Sequence, residues 1–573
     1  MLDLLVKGGK VVDGTGGKAF DADVAVQGNR IVDVGRLSLA EAATTIDATG
    51  KTVIPGLIDI HSHNDLYAVR DDYAQLFEPY LRQGITTCVA GNCGWSVAPW
   101  PQQSSDLMRA TVRSMGIPKD FKLEWSTQAE FHDWMRRRGM PMNFVPLAAH
   151  GWIRMAVMGE EARFSTPEEL TGMKKLLADC MEAGCRGMST GLTYFPGMYA
   201  HTDEIVELAK VCSEHGGRYA SHVRGHSQTY DTAVKEAIEI ATRSGCGLQL
   251  SHVFAVPYLG ETRANIIYAL QGVLETINRV VPLPGVPNPV LKKAIKEVDT
   301  ALEGGLDVGM DFIPYVLGNT TVTQLYPPWA NIGGTDALLK RLRDPDTRKK
   351  IRFDVENLKP VWPHWEEGSW SDNYVKALGW KILSILSVGS EKNRQVEGRR
   401  VVDLARAAGK DPFDYLADLT IEEEGMVTFL FGLPPRPWTE KVFTSIQHHP
   451  QLSVGADTLF PEFGAPPQSG YGCFVRIIDH YVKELGFYAL EDAVRRCTGL
   501  SASRYGLDDR GVVASGKAAD LVVFDLDTIR DNSTYDDPVH FPDGLEYVIV
   551  NGKVVVDNGA YKPDALAGQL LTM

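Results

Sequence analysis

The sequence predicts an α/β protein: a (β/α)8 TIM barrel, a small β-sandwich built from both chain ends, and a partly helical subdomain inserted late in the barrel. Three observations carry this expectation. Eight short apolar runs alternate with amphipathic helical stretches, as repeated βα units do. Both ends of the chain show the same pattern of short strands and glycine turns. A long stretch, 316–451, separates the seventh run from the eighth, more chain than one crossover helix needs.

The elements follow in order. Leu4-Leu5-Val6, Lys10-Val11-Val12, Asp23-Val24-Ala25-Val26 and Arg30-Ile31-Val32-Asp33-Val34 are separated by Gly8-Gly9, Gly14-Thr15-Gly16-Gly17 and Gly28-Asn29, as hairpin turns separate strands. Near the other end, Asp520–Asp525 and Tyr547–Val556 repeat the pattern, the latter around Asn551-Gly552. Neither end can bury a sheet face alone, so 1–52 and 500–573 are expected to pair into one composite β domain. The barrel is expected over 53–499, with strands at 53–61, 86–91, 143–149, 186–191, 217–222, 247–252, 307–313 and 452–457. Helical spacing near 3.6 marks 167–183, 202–215 and 230–244. The 316–451 insertion holds Trp329, Trp362, Trp365, Trp370 and Trp380.

Composition narrows the function classes. At about 150 residues per domain, 573 residues suggest about four, but α/β barrels run long as single units. A hydrophobic share of 44% supports a large core. With 58 Lys+Arg against 73 Asp+Glu, the net charge of −15 offers no basic excess for a nucleic-acid polyanion. No apolar run approaches the ~18–20 residues of a membrane span, and the start lacks a signal-peptide pattern. Eight scattered cysteines without a repeated CxxC pair fit a reduced cytoplasmic protein. A homo-oligomer is left open.

The strand ends carry the chemistry, because a barrel's active site lies at the C-terminal ends of its strands. The first run ends Asp59-Ile60-His61-Ser62-His63, and alternation along a strand would set both imidazoles on one face. The second delivers Cys93, the fifth His222 and Arg224, the sixth His252, the eighth Asp457. Each alone is weak: HxH is more often incidental, and a single cysteine more often a buried thiol. Together and in order they form a candidate metal site, and imidazole with thiolate suits zinc. Arg224 shares strand parity with His222, Tyr194 follows the fourth run, and His150 sits beside the third.

At these residues a family resemblance becomes specific. Val53-Ile54-Pro55-Gly56-Leu57-Ile58-Asp59-Ile60-His61-Ser62-His63 resembles the opening motif of the amidohydrolase superfamily, and Gly516-Lys517-Ala518-Ala519-Asp520-Leu521-Val522 its return into the terminal β domain. Gly91-Asn92-Cys93-Gly94, Gly191-Leu192-Thr193-Tyr194-Phe195-Pro196-Gly197, Ser221-His222-Val223-Arg224, Ser251-His252 and Gly455-Ala456-Asp457 resemble its D-aminoacylase (N-acyl-D-amino-acid deacylase) branch. The resemblance implies one or two Zn2+ ions: one held by Cys93, His222 and His252, a second, weaker position by His61, His63, Cys93 and Asp457. It implies a hydrolase of non-peptide C–N bonds, with Asp457 orienting the attacking water and taking its proton. Tyr194 is the candidate second donor to the carbonyl oxygen, and Arg224 the candidate carboxylate partner.

The chain departs from that branch where substrate is held. A lysine commonly follows the sixth-strand histidine, and a His-Pro-Arg segment the eighth-strand aspartate. Here the stretches read Ser251-His252-Val253-Phe254-Ala255 and Phe463-Gly464-Ala465-Pro466-Pro467-Gln468-Ser469-Gly470-Tyr471-Gly472. Leaving a carboxylate partly desolvated without cations costs several kcal/mol. A neutral or apolar small-molecule amide is therefore expected, with Phe254, Pro257, Tyr258 and the tryptophan-rich insertion lining its pocket. An N-acyl-D-amino acid, a cyclic amide and a carbamate are the alternatives, and a non-catalytic scaffold is least supported because every expected ligand is present.

Overall fold

The structure, a computed structural model, describes residues 1–37, 40–113, 115–118, 120–362, 370–461 and 464–573. Trp365 and Phe463 lie outside them.

Strands from both chain ends share one nine-stranded sheet. Leu2–Val11 pairs antiparallel with Phe20–Gln27, parallel with Ala42–Asp47 and parallel with Thr52–Pro55. Thr52–Pro55 in turn pairs antiparallel with Leu521–Phe524, which leads to Leu545–Val550 and Lys553–Asp557. The Asn551-Gly552 turn has φ of 48° and 81°, the left-handed pair a type I′ hairpin requires. A Cβ on Gly552 would lie 2.0 Å from the Gly28 carbonyl oxygen, so the two ends meet where only glycine fits.

The expected strand at 53–61 is two strands. Thr52–Pro55 belongs to the terminal sheet, whereas Leu57–Asp59 pairs parallel with Ile85–Ala90. Gly56 makes the switch: a Cβ there would stand 2.1 Å from Thr86 Oγ1. His61 and His63 therefore follow a strand rather than lying on it, and alternation along a strand is not what brings them together.

Leu57–Asp59, Ile85–Ala90 and Asn143–Pro146 form one parallel sheet. Ala148–Ala149, Gly187–Gly191, Arg218–His222, Gly247–Leu250, Val308–Phe312 and Leu452–Val454 form another, in that order. The two meet at both margins. Only Leu147 separates Asn143–Pro146 from Ala148–Ala149, and its N–H donates to the Ala90 carbonyl at 2.9 Å. On the far side the Asp457 N–H donates to the His61 carbonyl at 2.9 Å. All these strands are buried, as parallel strands covered on both faces must be.

Helices Pro167–Glu182, Thr202–Glu214 and Tyr230–Ser244 lie where the spacing places them. Thr166 caps the first in a reciprocal capping box with Glu169, satisfying two orphan backbone donors. Its Met173, Leu177, Cys180 and Met181 make the buried stripe. Within 316–451, Gly318–Thr321, Leu383–Val388 and Val427–Phe431 form an antiparallel sheet, surrounded by helices over a core of their own. All eight cysteines are unpaired and buried. Among the described residues, no helix is long and apolar enough to cross a membrane.

Candidate metal centre and substrate cleft

The ligand atoms of Cys93, His222 and His252 lie within 4.8 Å of one another, as do those of His61, His63, Cys93 and Asp457. Cys93 Sγ is common to both groups, 3.3 Å from His61 Nε2, 3.6 Å from His222 Nδ1 and 3.7 Å from His252 Nε2. Asp457 Oδ1 lies 3.1 Å from His63 Nε2 and 3.4 Å from His61 Nε2. Cys93, His252 and Asp457 hold φ of 54°, 35° and 45°, a region non-glycine residues rarely occupy. Each follows the end of its strand and turns its side chain inward. Backbone strain of this kind, of order 1–3 kcal/mol per residue, clusters where geometry serves a ligand.

The electrostatics ask for a cation. Burial pushes the Cys93 thiol up, but His61, His222 and His252 outweigh it and hold the group well below the ordinary thiol range. Burial also works against Asp457, yet His61 and His63 bring it down to about 2. His63 loses charge to burial and regains it from Asp457 and Cys93, ending at about 9. A thiolate and a carboxylate are thus anionic inside the protein and are balanced by protons on the imidazoles, the place a metal cation would take. Mixed imidazole, thiolate and carboxylate donors at this spacing fit zinc.

Further groups orient the donors. Thr193 Oγ1 is 2.7 Å from His222 Nε2. Asp311 Oδ1 accepts from the His252 backbone N–H at 2.7 Å and stands 3.4 Å from His61 Nδ1. Asp59 Oδ1 accepts from the backbone N–H groups of His61 and Ala456, tying the first and last strand ends together. His226 packs edge-on against His222, ring centroids 4.6 Å apart, and stacks on Phe254.

A cleft opens from His252. Phe254, Tyr315, Leu317, Phe431, Leu433 and Phe443 form much of its wall, and among the described residues no Asp, Glu, Lys or Arg lines it. Phe254 and Pro257 are in the lining as expected; Tyr258, Trp329, Trp362, Trp370 and Trp380 are not, and Trp370 and Trp380 are buried in a core built largely within 316–451.

Residues 44–266 and 393–556 match the amidohydrolase family. N-acyl-D-glutamate deacylase of Alcaligenes xylosoxydans xylosoxydans is 30% identical over 558 residues, 97% of this chain and 93% of that one. The chain belongs to the amidohydrolase family, on its D-aminoacylase-like branch. Among solved structures, a D-aminoacylase described for one-metal activation and second-metal attenuation of its binuclear centre is 27% identical, with a TM-score of 0.74 over 100% of both chains. N-acyl-D-glutamate deacylase from Bordetella bronchiseptica, in complex with zinc and a phosphonate mimic of the tetrahedral intermediate, is 26% identical with a TM-score of 0.75, again over 100% of both.

In this amidohydrolase the structure brings together His61, His63, Cys93, His222, His252 and Asp457. Tyr194 stands beside them, its ring 4.6 Å from that of His222 and its hydroxyl 3.3 Å from Thr320 Oγ1. Arg224 does not join them, which corrects its expected place in the mouth. Its guanidinium is buried against Glu236, Nε and Nη2 each 3.0 Å from a carboxylate oxygen, and donates also to the Met198 and Ala200 carbonyls. His150 is likewise taken up elsewhere, 3.0 Å from Glu204, which also pairs with Arg154. Asp59, Asp311 and His226 escaped the sequence reading. The signals were there: Asp59 lies inside the opening motif, Asp311 lies on the seventh strand, and His226 follows His222 at i+4.

Proposed function

We propose that this amidohydrolase cleaves the C–N bond of a neutral, apolar small-molecule amide, with Asp457 as the group that moves the proton. The observation that carries this is the uncharged cleft meeting the metal-ligand cluster at His252. Cys93, His222 and His252 would hold one zinc ion, and His61 and His63 with Cys93 and Asp457 a second, weaker one. When bound, zinc supplies an acidified water and polarises the scissile carbonyl.

The rest falls to the chain. Asp457 is the member of the donor set that reaches solvent, with 19% of its side chain exposed against 1% for His61 and 2% for His63. Its carboxylate is ionised, oriented by His63, and placed to take the proton of the attacking water and return it to the leaving nitrogen. Tyr194, with its hydroxyl kept protonated by burial and by the Cys93 thiolate, is the donor for the developing oxyanion. The apolar wall receives the acyl or amine arm and excludes water.

The architecture we read beneath this site is a (β/α)8 barrel over 53–499, a β-sandwich from 1–52 and 500–573, and an insertion over 316–451, with the strand Thr52–Pro55 counted to the terminal sheet. Support comes from the hydrogen bonds that join the two parallel sheets at both margins. A panel of neutral anilides and amides, lactams, carbamates and N-acyl-D-amino acids tests the substrate class. Faster turnover of the neutral linear amides is expected. Equal or faster turnover of N-acyl-D-glutamate or N-acetyl-D-amino acids would overturn the reading.

A further inference from the structure

The helix Glu261–Val280 presents an outer face that the other described residues leave open. Ile266, Leu270, Val273, Ile277 and Val280 recur at spacings of 4, 3, 4 and 3, and each is 43% to 81% exposed. This is the a/d repeat of a helix that packs on another helix. Between Arg263 and Arg279 the sole charged residue is Glu275, which is buried and accepts from the Trp438 backbone N–H at 3.0 Å. The exposed positions between the aliphatics are Ala269, Gly272, Thr276 and, near the C-terminal end, Arg279; the first three are small enough to let two backbones approach.

We propose that this face is the two-fold interface of a homodimer, occupied by the same helix of a second copy running antiparallel. With Val281, which continues the patch at 58% exposure, the stripe offers roughly 500 Å2 of apolar surface, at the upper end of what monomers leave open. Two copies together bury the ~1,000 Å2 at which specific interfaces begin. Charge sets the direction. A two-fold axis at Val273 places Ile266 against Val280 and Leu270 against Thr276, with Arg263 and Arg279 facing uncharged positions. A parallel pair would set each arginine against its own copy. A lipid surface is the poorer occupant: the face carries neither Trp nor Phe, no row of lysines flanks it, and the chain's charge of −15 repels anionic headgroups. The inference does not depend on the substrate. The interface lies behind the cleft wall, where Glu275 holds Trp438 beside the cleft residue Thr439.

Sedimentation equilibrium of the full chain reads the outcome. The wild type is expected at twice 63.0 kDa at micromolar concentration, and Leu270→Glu at the mass of one chain, with melting temperature and zinc content unchanged. Val273→Cys supplies an exposed thiol in a chain whose own eight cysteines are buried, and is expected to give a covalent dimer on a non-reducing gel. A single-chain wild type at tens of micromolar, a dimer that survives Leu270→Glu, or no crosslink at position 273 would each overturn the proposal. So would a single-chain wild type that pellets with phosphatidylcholine vesicles.

Discussion

Phe254 stacks on His226, ring centroids 4.6 Å apart and planes 13° from parallel, and the Phe254 carbonyl lies 3.4 Å from His226 Nδ1. One side of His226 is thereby fixed by the residue that forms the cleft wall, and its edge meets His222. The metal-ligand cluster and the cleft are coupled through this imidazole. His226→Ala is expected to lower kcat by about 10–100-fold, the usual cost of losing a group that orients a metal ligand. Zinc content should stay near wild type, because Cys93, His222 and His252 remain. If kcat is unchanged and only the melting temperature falls, His226 is a packing residue and nothing more.

Asp457 separates chemistry from metal binding. Asp457→Asn is expected to reduce kcat by about 10²–10⁴, the range for a lost general base, with zinc at the Cys93 group retained. Cys93→Ala should behave in the opposite order, releasing metal first because its sulfur belongs to both ligand groups. Metal analysis beside single-turnover rates checks both. An active Asp457→Asn enzyme would remove the base from Asp457, and a Cys93→Ala protein with full zinc would remove the sulfur from the ligand set.

Much of this was legible in the sequence because buried parallel strands are short apolar runs, and whatever follows them falls at one mouth. Cys93, His222, His252 and Asp457 were found that way. The path by which they converge was not legible. Left-handed φ at Cys93, His252 and Asp457 depends on tertiary contacts that no local propensity encodes. Pro55 and Leu57 look alike to a hydrophobic pattern, yet they belong to different sheets because Gly56 lets Thr86 approach. Arg224 was placed by strand parity, but Glu236, twelve residues on along a helix, claimed it. Trp370 and Trp380 looked like pocket wall and are buried instead in a core built largely within 316–451.

Gly318 and Phe431 face each other across an antiparallel pair, and both line the cleft. A Cβ at 318 would stand 2.4 Å from the Phe431 ring, so Gly318→Ala must drive that ring aside. For bulky apolar amides KM is expected to rise several-fold with kcat nearly unchanged, since neither residue belongs to the metal-ligand cluster. A small acetamide should be turned over as before. Overpacking of this kind also costs about 1–3 kcal/mol of stability. Equal effects on large and small substrates would mean that Phe431 does not bound the substrate.

Acid stability reports a different buried histidine. His132 sits inside helix Gln128–Arg138, with Nε2 2.8 Å from Gln128 Nε2 and Nδ1 donating to the Ala183 carbonyl at 3.0 Å. Burial above all, against the pull of that carbonyl, lowers it to about 4. The unfolded chain takes up this proton near 6.5. Unfolded protein therefore binds more protons between those values, so stability is whole above about pH 6.5 and declines as pH falls to about 4. The 2.5-unit gap corresponds to roughly 3 kcal/mol. In His132→Gln this contribution is absent at every pH. Melting temperatures of the two proteins should differ most at neutral pH and draw together as pH approaches 4; parallel curves across that window would show that His132 is not a source of acid lability.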